Sequence, residues 1–157
     1  MRLVYGHNDA VAALVAALIE GCQRSDFGGC TAIGVADGGR LAGGFVFHNY
    51  NPLAAVVEIS FAGTGKRWLT RPVLYAAFSY VFDQLDCQLA VARTPAGLTS
   101  ALRIARAYGF RQVRVPRLFG RHEDGIISTL TAEAWRSNGF HKENAHGKEI
   151  EPGAEAA

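Results

Sequence analysis

No run of apolar residues in this chain reaches the ~18 that a membrane-spanning helix needs. The longest candidate, Ala10 to Ile19, is shorter and amphipathic. The first residues lack the basic, apolar and small-residue order of a signal peptide, so a cytoplasmic protein with no membrane partner is expected. Cysteine is scarce: Cys22, Cys30 and Cys87 have no metal-ligand spacing, and an odd number cannot all pair within one chain. They read as free thiols of a reducing compartment. The five histidines are scattered without acidic or cysteine partners at ligand spacing, so no metal is expected. An excess of either charge is nearly missing as well, since a formal net charge of +2 is too small to imply a polyanionic partner by itself. Two phosphate-binding fingerprints are also absent. Gly63-Thr64-Gly65-Lys66 does not follow the Gly, four residues, Gly-Lys-Ser/Thr order of a P-loop, and Trp68 stands where a dinucleotide fingerprint would place its third glycine.

What is present suits one globular domain. The chain has 157 residues, 49% of them hydrophobic and 19% charged, enough for a single core without staples. A domain is expected over 1–136, followed by a polar stretch over 137–157, rich in Gly, Glu and Lys, that reads as a disordered C-terminal tail.

Taken in order, Arg2 to Tyr5 reads as a first strand, and Asn8 is placed to cap a helix carrying Val11, Leu14, Val15, Leu18 and Ile19 on one stripe. Gln23 to Cys30 reads as loop. Thr31 to Ala36 and Leu41 to His48 read as strands joined by Asp37-Gly38-Gly39-Arg40, with Gly43-Gly44 marking a bulge or a close backbone approach. After a turn at Asn49-Tyr50-Asn51-Pro52, Val57, Ile59 and Phe61 alternate with Glu58 and Ser60, the period of a strand with two chemically different faces. A helix then starts near Pro72 and carries Leu74, Phe78, Val81, Phe82 and Leu85 on one face. Gln88 to Ala92 reads as a strand, Leu98 to Ala105 as a short helix stopped by Gly109, and Arg111 to Phe119 with Ile126 to Leu130 as a hairpin turning at Glu123-Asp124-Gly125. Thr131 caps a last turn bearing Trp135. The expected fold is α/β, or α+β: a mixed, mostly antiparallel sheet of about six or seven strands with helices on both faces.

The stretch from Val57 to Leu85 organises the rest. A strand feeding a basic, glycine-containing loop that opens a helix directs backbone N–H groups and cations at one spot, which suits an anion such as a phosphate. The same pattern also serves as a plain strand-to-helix connection with surface cations.

Several features together resemble the GNAT superfamily of acyl-CoA-dependent N-acetyltransferases, in particular its ribosomal-protein-acetylating type and small phage-type relatives. They are the Glu58-Ile59-Ser60 strand, Lys66-Arg67-Trp68-Leu69-Thr70-Arg71 before a helix with Tyr80-Val81-Phe82, the Gly109-Phe110 pair, Arg117, and the hairpin before Trp135. The resemblance spans roughly residues 2 to 136. It implies direct transfer of an acetyl group from acetyl-CoA to a primary amine in a ternary complex. The acceptor would be a protein N-terminus or a small amine, and the protein a monomer or homodimer. Cofactor-binding residues implied are Ile59, Ser60 and Phe61 along the pantetheine, Lys66, Arg67, Trp68, Leu69, Thr70 and Arg71 around the pyrophosphate, and Ser100 near the position where relatives often carry an asparagine. The nearest match to that position is Leu98. The position at which many members use a tyrosine to protonate the departing thiolate holds Ile104, which leaves Tyr108 as a substitute.

Glu58 is the candidate general base, because an ammonium must lose a proton before it can attack a thioester. As a strand carboxylate it could equally face solvent or pair with an arginine. Ser60 shares its face and is placed to orient substrate or cofactor; Tyr108 is the candidate acid or else a packing residue. His48 either lines the acceptor site or is a surface or capping histidine. Arg103, Arg106, Arg111, Arg114, Arg117 and Arg121 read mainly as the wet side of a helix and an edge strand, with contact to nucleic acid or acidic protein as the other use. A catalytically degenerate GNAT-like module that holds such a partner is the alternative to an enzyme.

Overall fold

The computed structural model describes residues 1–140. It forms two compact units, one from Met1 to Ala92 and one from Arg93 onward. Most of the expected tail lies outside the described residues.

The first unit contains β1 (Arg2–Val4), α1 (Asn8–Leu18), α2 (Arg24–Phe27), β2 (Thr31–Asp37), β3 (Arg40–Asn51), β4 (Val56–Gly63) and α3 (Arg71–Ser79), and it begins β5 (Leu89–Pro95). Strands β1 to β4 pair antiparallel in chain order, and β5 joins β4 in parallel, so the sheet is mixed as expected. A π-helical turn over Tyr80–Gln84 closes α3, with Leu85 N–H donating to the Tyr80 carbonyl at 2.9 Å.

Strand alternation decides which helix covers which face. Val46 and Ala32 belong to a cluster with Val11, Ala12, Val15 and Ala16 of α1 and Phe27 of α2. Phe45 and Phe47 point the other way: Phe45 meets Phe78 of α3 with ring centroids 6.2 Å apart, and Phe47 meets Tyr80 at 4.8 Å. Helices therefore cover both faces, and each fully buried side chain of this size contributes about 1.5–3 kcal/mol. The buried stripe of α1 is Val11, Ala12, Val15 and Ala16, whereas Leu18 of the expected stripe is 41% exposed. The close approach expected at Gly43-Gly44 is real. A Cβ on Gly43 would lie 2.5 Å from the Trp68 ring, and one on Gly63, its partner across β3 and β4, would overlap the same ring.

Two local expectations are corrected in this unit. Asn8 does not cap α1; His7 occupies the cap position without a side-chain bond, while Asn8 Oδ1 accepts from Ala32 N–H at 2.9 Å and ties the helix start to β2. The segment read as loop after Cys22 contains α2, held by a reciprocal capping box in which Asp26 accepts from Gln23 N–H at 2.8 Å.

The second unit contains α4 (Thr99–Tyr108), β6 (Arg111–Gly120), β7 (Glu123–Thr131) and α5 (Ala132–Ser137). Gly109 ends α4 in a left-handed conformation, and Thr131 Oγ1 caps α5 by accepting from Ala134 N–H at 3.1 Å, both as expected. The hairpin turn is displaced from its expected place: Arg121-His122 make it, and Glu123-Asp124-Gly125 already lie in β7. Asp124 is bound across the hairpin, accepting from Arg114 Nε at 2.9 Å and Arg117 N–H at 3.1 Å. Gly125 is required because a Cβ there would come within 2.6 Å of Phe119. A turn-like triplet thus serves pairing and packing. Beyond α5, Asn138 Nδ2 donates to the Tyr108 carbonyl at 2.9 Å, and Phe140 packs on the Tyr108 ring.

Candidate active site

Parallel pairing of β4 with β5 runs from Val56–Leu89 to Glu58–Val91 and goes no further, whereas β4 continues to Gly63. The candidate base is thus the last β4 residue in that ladder, and Ile59, Ser60 and Phe61 lie in the part that has left it. The side chains of Ile59 and Phe61 belong to the α3 face: Ile59 is buried, and Phe61 stacks on Phe45 at 5.2 Å. What these two residues can offer a ligand is their backbone.

Glu58 and Ser60 point to the other face, where β3 contributes two polar side chains. His48 lies directly opposite Glu58, is only 4% exposed, and packs its ring 4.9 Å from Phe27 of α2. Its Nε2 is 2.9 Å from Ser60 Oγ and 4.0 Å from Glu58 Oε2. Asn49, held at φ +50°, donates from Nδ2 to Glu58 Oε1 at 3.0 Å and lies 3.4 Å from His48 Nδ1. Burial pushes the His48 pKa below its ordinary value, and the nearby Glu58 carboxylate opposes that shift without cancelling it. The imidazole is therefore neutral at pH 7. Because Asn49 presents an N–H to Nδ1, the ring proton belongs on Nε2, pointed at Ser60.

Of the residues expected at the site, Glu58 and Ser60 are brought together, and His48 proves to be buried rather than a surface or capping group. Asn49 was missed. Its only sequence signal is an asparagine after a strand, a residue that tolerates positive φ and so suits an irregular strand end.

The loop before α3 has a double character. Trp68 is 4% exposed, with its ring over Gly43 and Gly63 and 5.6 Å from Phe45, so its side chain anchors the loop instead of facing a ligand. Thr70 is the N-cap of α3: its N–H donates to the Trp68 carbonyl at 3.1 Å and its Oγ1 accepts from Val73 N–H at 3.4 Å. Leu69 is half-buried, Arg71 opens the helix, and Lys66 and Arg67 are exposed. Among the described residues, the N–H groups of Gly65, Lys66, Arg67 and Trp68 have no acceptor. Arg67 also lines, with Arg2, Thr70 and Pro72, a cavity of about 400 Å³.

Ser100 and Tyr108 belong to the second unit. Ser100 is exposed in the first turn of α4. Tyr108 is 2% exposed, and its hydroxyl accepts from Trp135 Nε1 at 3.0 Å. Ile104, at the expected tyrosine position, is 42% exposed. Burial raises the thiol pKa of Cys22 and Cys87, with Asp26 and Asp86 adding to it, which keeps both protonated and poorly nucleophilic. No group of three or more metal-ligating side chains occurs among the described residues.

No protein-family model matches this chain, and no curated protein does. Solved structures do match, and they show that the chain has the fold of the GNAT acetyltransferases. Mutant forms of the spermidine/spermine N-acetyltransferase SpeG from Vibrio cholerae align with a TM-score of 0.70 at 13% identity, over 87% of this chain and 99% of theirs. A further SpeG mutant from Vibrio cholerae gives 0.70 at 12% identity, over 87% and 98%. A structure described as a probable acetyltransferase gives 0.60 at 17% identity, over 85% and 93%. These matches do not show the ribosomal-protein-acetylating type.

Proposed function

We infer that the protein is an N-acetyltransferase moving an acetyl group from acetyl-CoA to a primary amine by direct attack in a ternary complex. One observation carries this: β4–β5 pairing ends at a carboxylate, and the helix-opening loop that follows β4 carries N–H groups over 65–68 with no acceptor within the described residues. Unengaged N–H groups in the loop that leads into a helix fit a pyrophosphate, with Lys66, Arg67 and Arg71 adding charge-assisted bonds. The backbone of Ile59 to Phe61 offers strand-like partners to the pantetheine amides, and an N–H there stabilises the oxyanion formed on attack. Glu58 takes a proton from the ammonium, which frees the nitrogen lone pair.

The acceptor is a primary amine on a protein N-terminus or a small molecule. Thiol release measured with acetyl-CoA and a panel of both kinds tests the assignment. Amine-dependent release is expected, and Glu58→Gln should lower turnover about 100-fold at neutral pH, the scale of general-base catalysis, and less at alkaline pH where free amine is plentiful. Absence of release with every amine would sink the enzyme assignment, and an unchanged pH profile would remove Glu58 from it. The sealed Tyr108 hydroxyl and the exposed Ile104 favour a second function, a degenerate module that binds without turnover. Salt-sensitive binding to nucleic acid without thiol release would select it.

A further inference from the structure

Acetyl transfer needs two proton movements. The ammonium loses one proton before attack, and the attacking nitrogen loses a second while the thiolate gains one. Glu58 accounts for the first. The second has no evident agent at Tyr108, which is only 2% exposed.

Ser60 has the right capacity. A hydroxyl has one hydrogen to donate and two lone pairs to accept. One lone pair faces His48 Nε2 at 2.9 Å, and with the ring proton on that nitrogen the serine hydrogen must point away from the imidazole. Ser60 is half-buried, and its backbone lies just past the end of the β4–β5 ladder, two positions from Glu58 on the same face. His48 is held from three sides: Phe27 against its ring, Asn49 at Nδ1, and Glu58 opposite it. Among the described residues, Glu58 is the one charged group acting on His48. The ring is buried and two of its neighbours, Asn49 and Glu58, are hydrogen-bonded to each other, which fixes the direction of its N–H.

We propose that the Ser60 hydroxyl relays the second proton from the attacking nitrogen to the departing sulfur, and that His48 is the positioning residue that aims it. This rests on the acetyl-transfer function inferred above. In the step, the C–S bond breaks and its electron pair stays on sulfur. The Ser60 O–H bond breaks as the S–H bond forms, and the N–H bond of the attacking nitrogen breaks as a new Ser60 O–H bond forms. Ser60 ends as it began, one proton has passed from nitrogen to sulfur, and the proton held by Glu58 leaves to solvent. His48 keeps its own proton throughout, donating to Oγ and stabilising the charge that builds on it. The same arrangement argues against Ser60 as an acyl-carrying nucleophile, since Nε2 bears a hydrogen and is not free to take one.

The test compares kcat and KM for acetyl-CoA in wild type, Ser60→Ala, His48→Leu, His48→Gln and the Ser60→Ala/His48→Leu double variant, each checked for cooperative melting. Loss of a proton-relay group lowers kcat by at least about 100-fold. Ser60→Ala is expected to show that loss with KM for acetyl-CoA changed less than threefold. His48→Leu should lose about tenfold or more, and His48→Gln, whose amide can donate where Nε2 does, should recover most of it. The double variant should be no worse than Ser60→Ala alone, because His48 acts through Ser60. Ser60→Ala within threefold of wild type, or losses that multiply in the double variant, would overturn the relay while leaving acetyl transfer intact. Wild-type protein that releases no thiol with any amine would remove the underlying function instead. Should His48→Leu fail to fold, the Ser60→Ala and His48→Gln arms still decide.

Discussion

The two units differ in how they use polar residues. Residues 93–140 carry eight arginines against three carboxylates, while residues 1–92 carry six lysines and arginines against seven carboxylates. Charge alone would therefore point to the second unit as the functional one. Hydrogen-bond commitments point to the first. In the second unit, polar side chains close backbone and pairing needs: Gln112 Nε2 donates to the Leu102 carbonyl, Asn138 to the Tyr108 carbonyl, Thr131 caps α5, and Asp124 clasps Arg114 and Arg117. In the first unit, a histidine, serine, glutamate and asparagine contact one another on β3 and β4 where the β4–β5 ladder ends, and a run of N–H groups before α3 lacks acceptors among the described residues. Unused hydrogen-bonding capacity and a fixed polar cluster in one unit are the better guide to chemistry than the density of exposed cations.

The largest test of that contrast lies in the α3 loop. Lys66→Ala with Arg67→Ala removes two exposed cations beside the unengaged N–H groups, and charge-assisted bonds contribute about 1.5–3 kcal/mol each. Apparent affinity for acetyl-CoA should fall about 100-fold, read as KM or by calorimetry. Replacing Arg103 and Arg111 in the second unit should change it less than about twofold, the scale of surface charges away from a ligand. Equal losses from both pairs would erase the distinction between the units.

A smaller effect is expected where the loop is anchored. Gly63→Ala places a methyl group against a rigid, buried Trp68 ring, and overpacking of this kind costs about 1–3 kcal/mol. Denaturant melts should show that loss together with weaker acetyl-CoA binding, because the ring that must move carries the loop. By contrast, Tyr108→Phe removes the acceptor of a buried indole N–H in the second unit and should cost about 1–3 kcal/mol with kcat nearly unchanged. A large kcat loss in a folded Tyr108→Phe protein would return the acid role to that residue.

Much of the fold was legible because it is written in short-range patterns. The Val57-Ile59-Phe61 alternation, the Gly38-Gly39 turn, Pro72 at the start of α3 and Gly109 after α4 each satisfy a local steric rule that the structure keeps. The misreadings share a cause. Asn8 and Glu123-Asp124-Gly125 look like caps and turns, but long-range partners, Ala32 in one case and Arg114, Arg117 and Phe119 in the other, claim them. At the site, Glu58 and Ser60 were legible from strand period, since one face of one strand suffices to pair them. The coupling of His48 to Ser60 was not. It depends on the antiparallel register that sets His48 against Glu58, and on α2, a helix held by a capping box in a stretch that reads as loop.

The buried histidine gives the smallest effect and the finest distinction, because it leaves a trace in stability without any substrate. Its folded-state pKa is depressed from an unfolded value of 6.5, mainly by burial, with Glu58 opposing. Above the unfolded pKa both states hold His48 neutral, and its contribution to stability is fully present. As pH falls below that value the unfolded chain binds a proton that the folded one resists, so stability declines until the folded pKa is passed. The slope from a single group cannot exceed about 1.4 kcal/mol per pH unit. Denaturation free energies measured from pH 7 down to pH 5 should therefore fall more steeply for wild type than for His48→Gln, which cannot titrate. Matching slopes would mean that His48 protonates as easily in the folded protein as in the unfolded chain. The cluster would then be solvated, and the first unit would lose the buried polar group that sets it apart from the second.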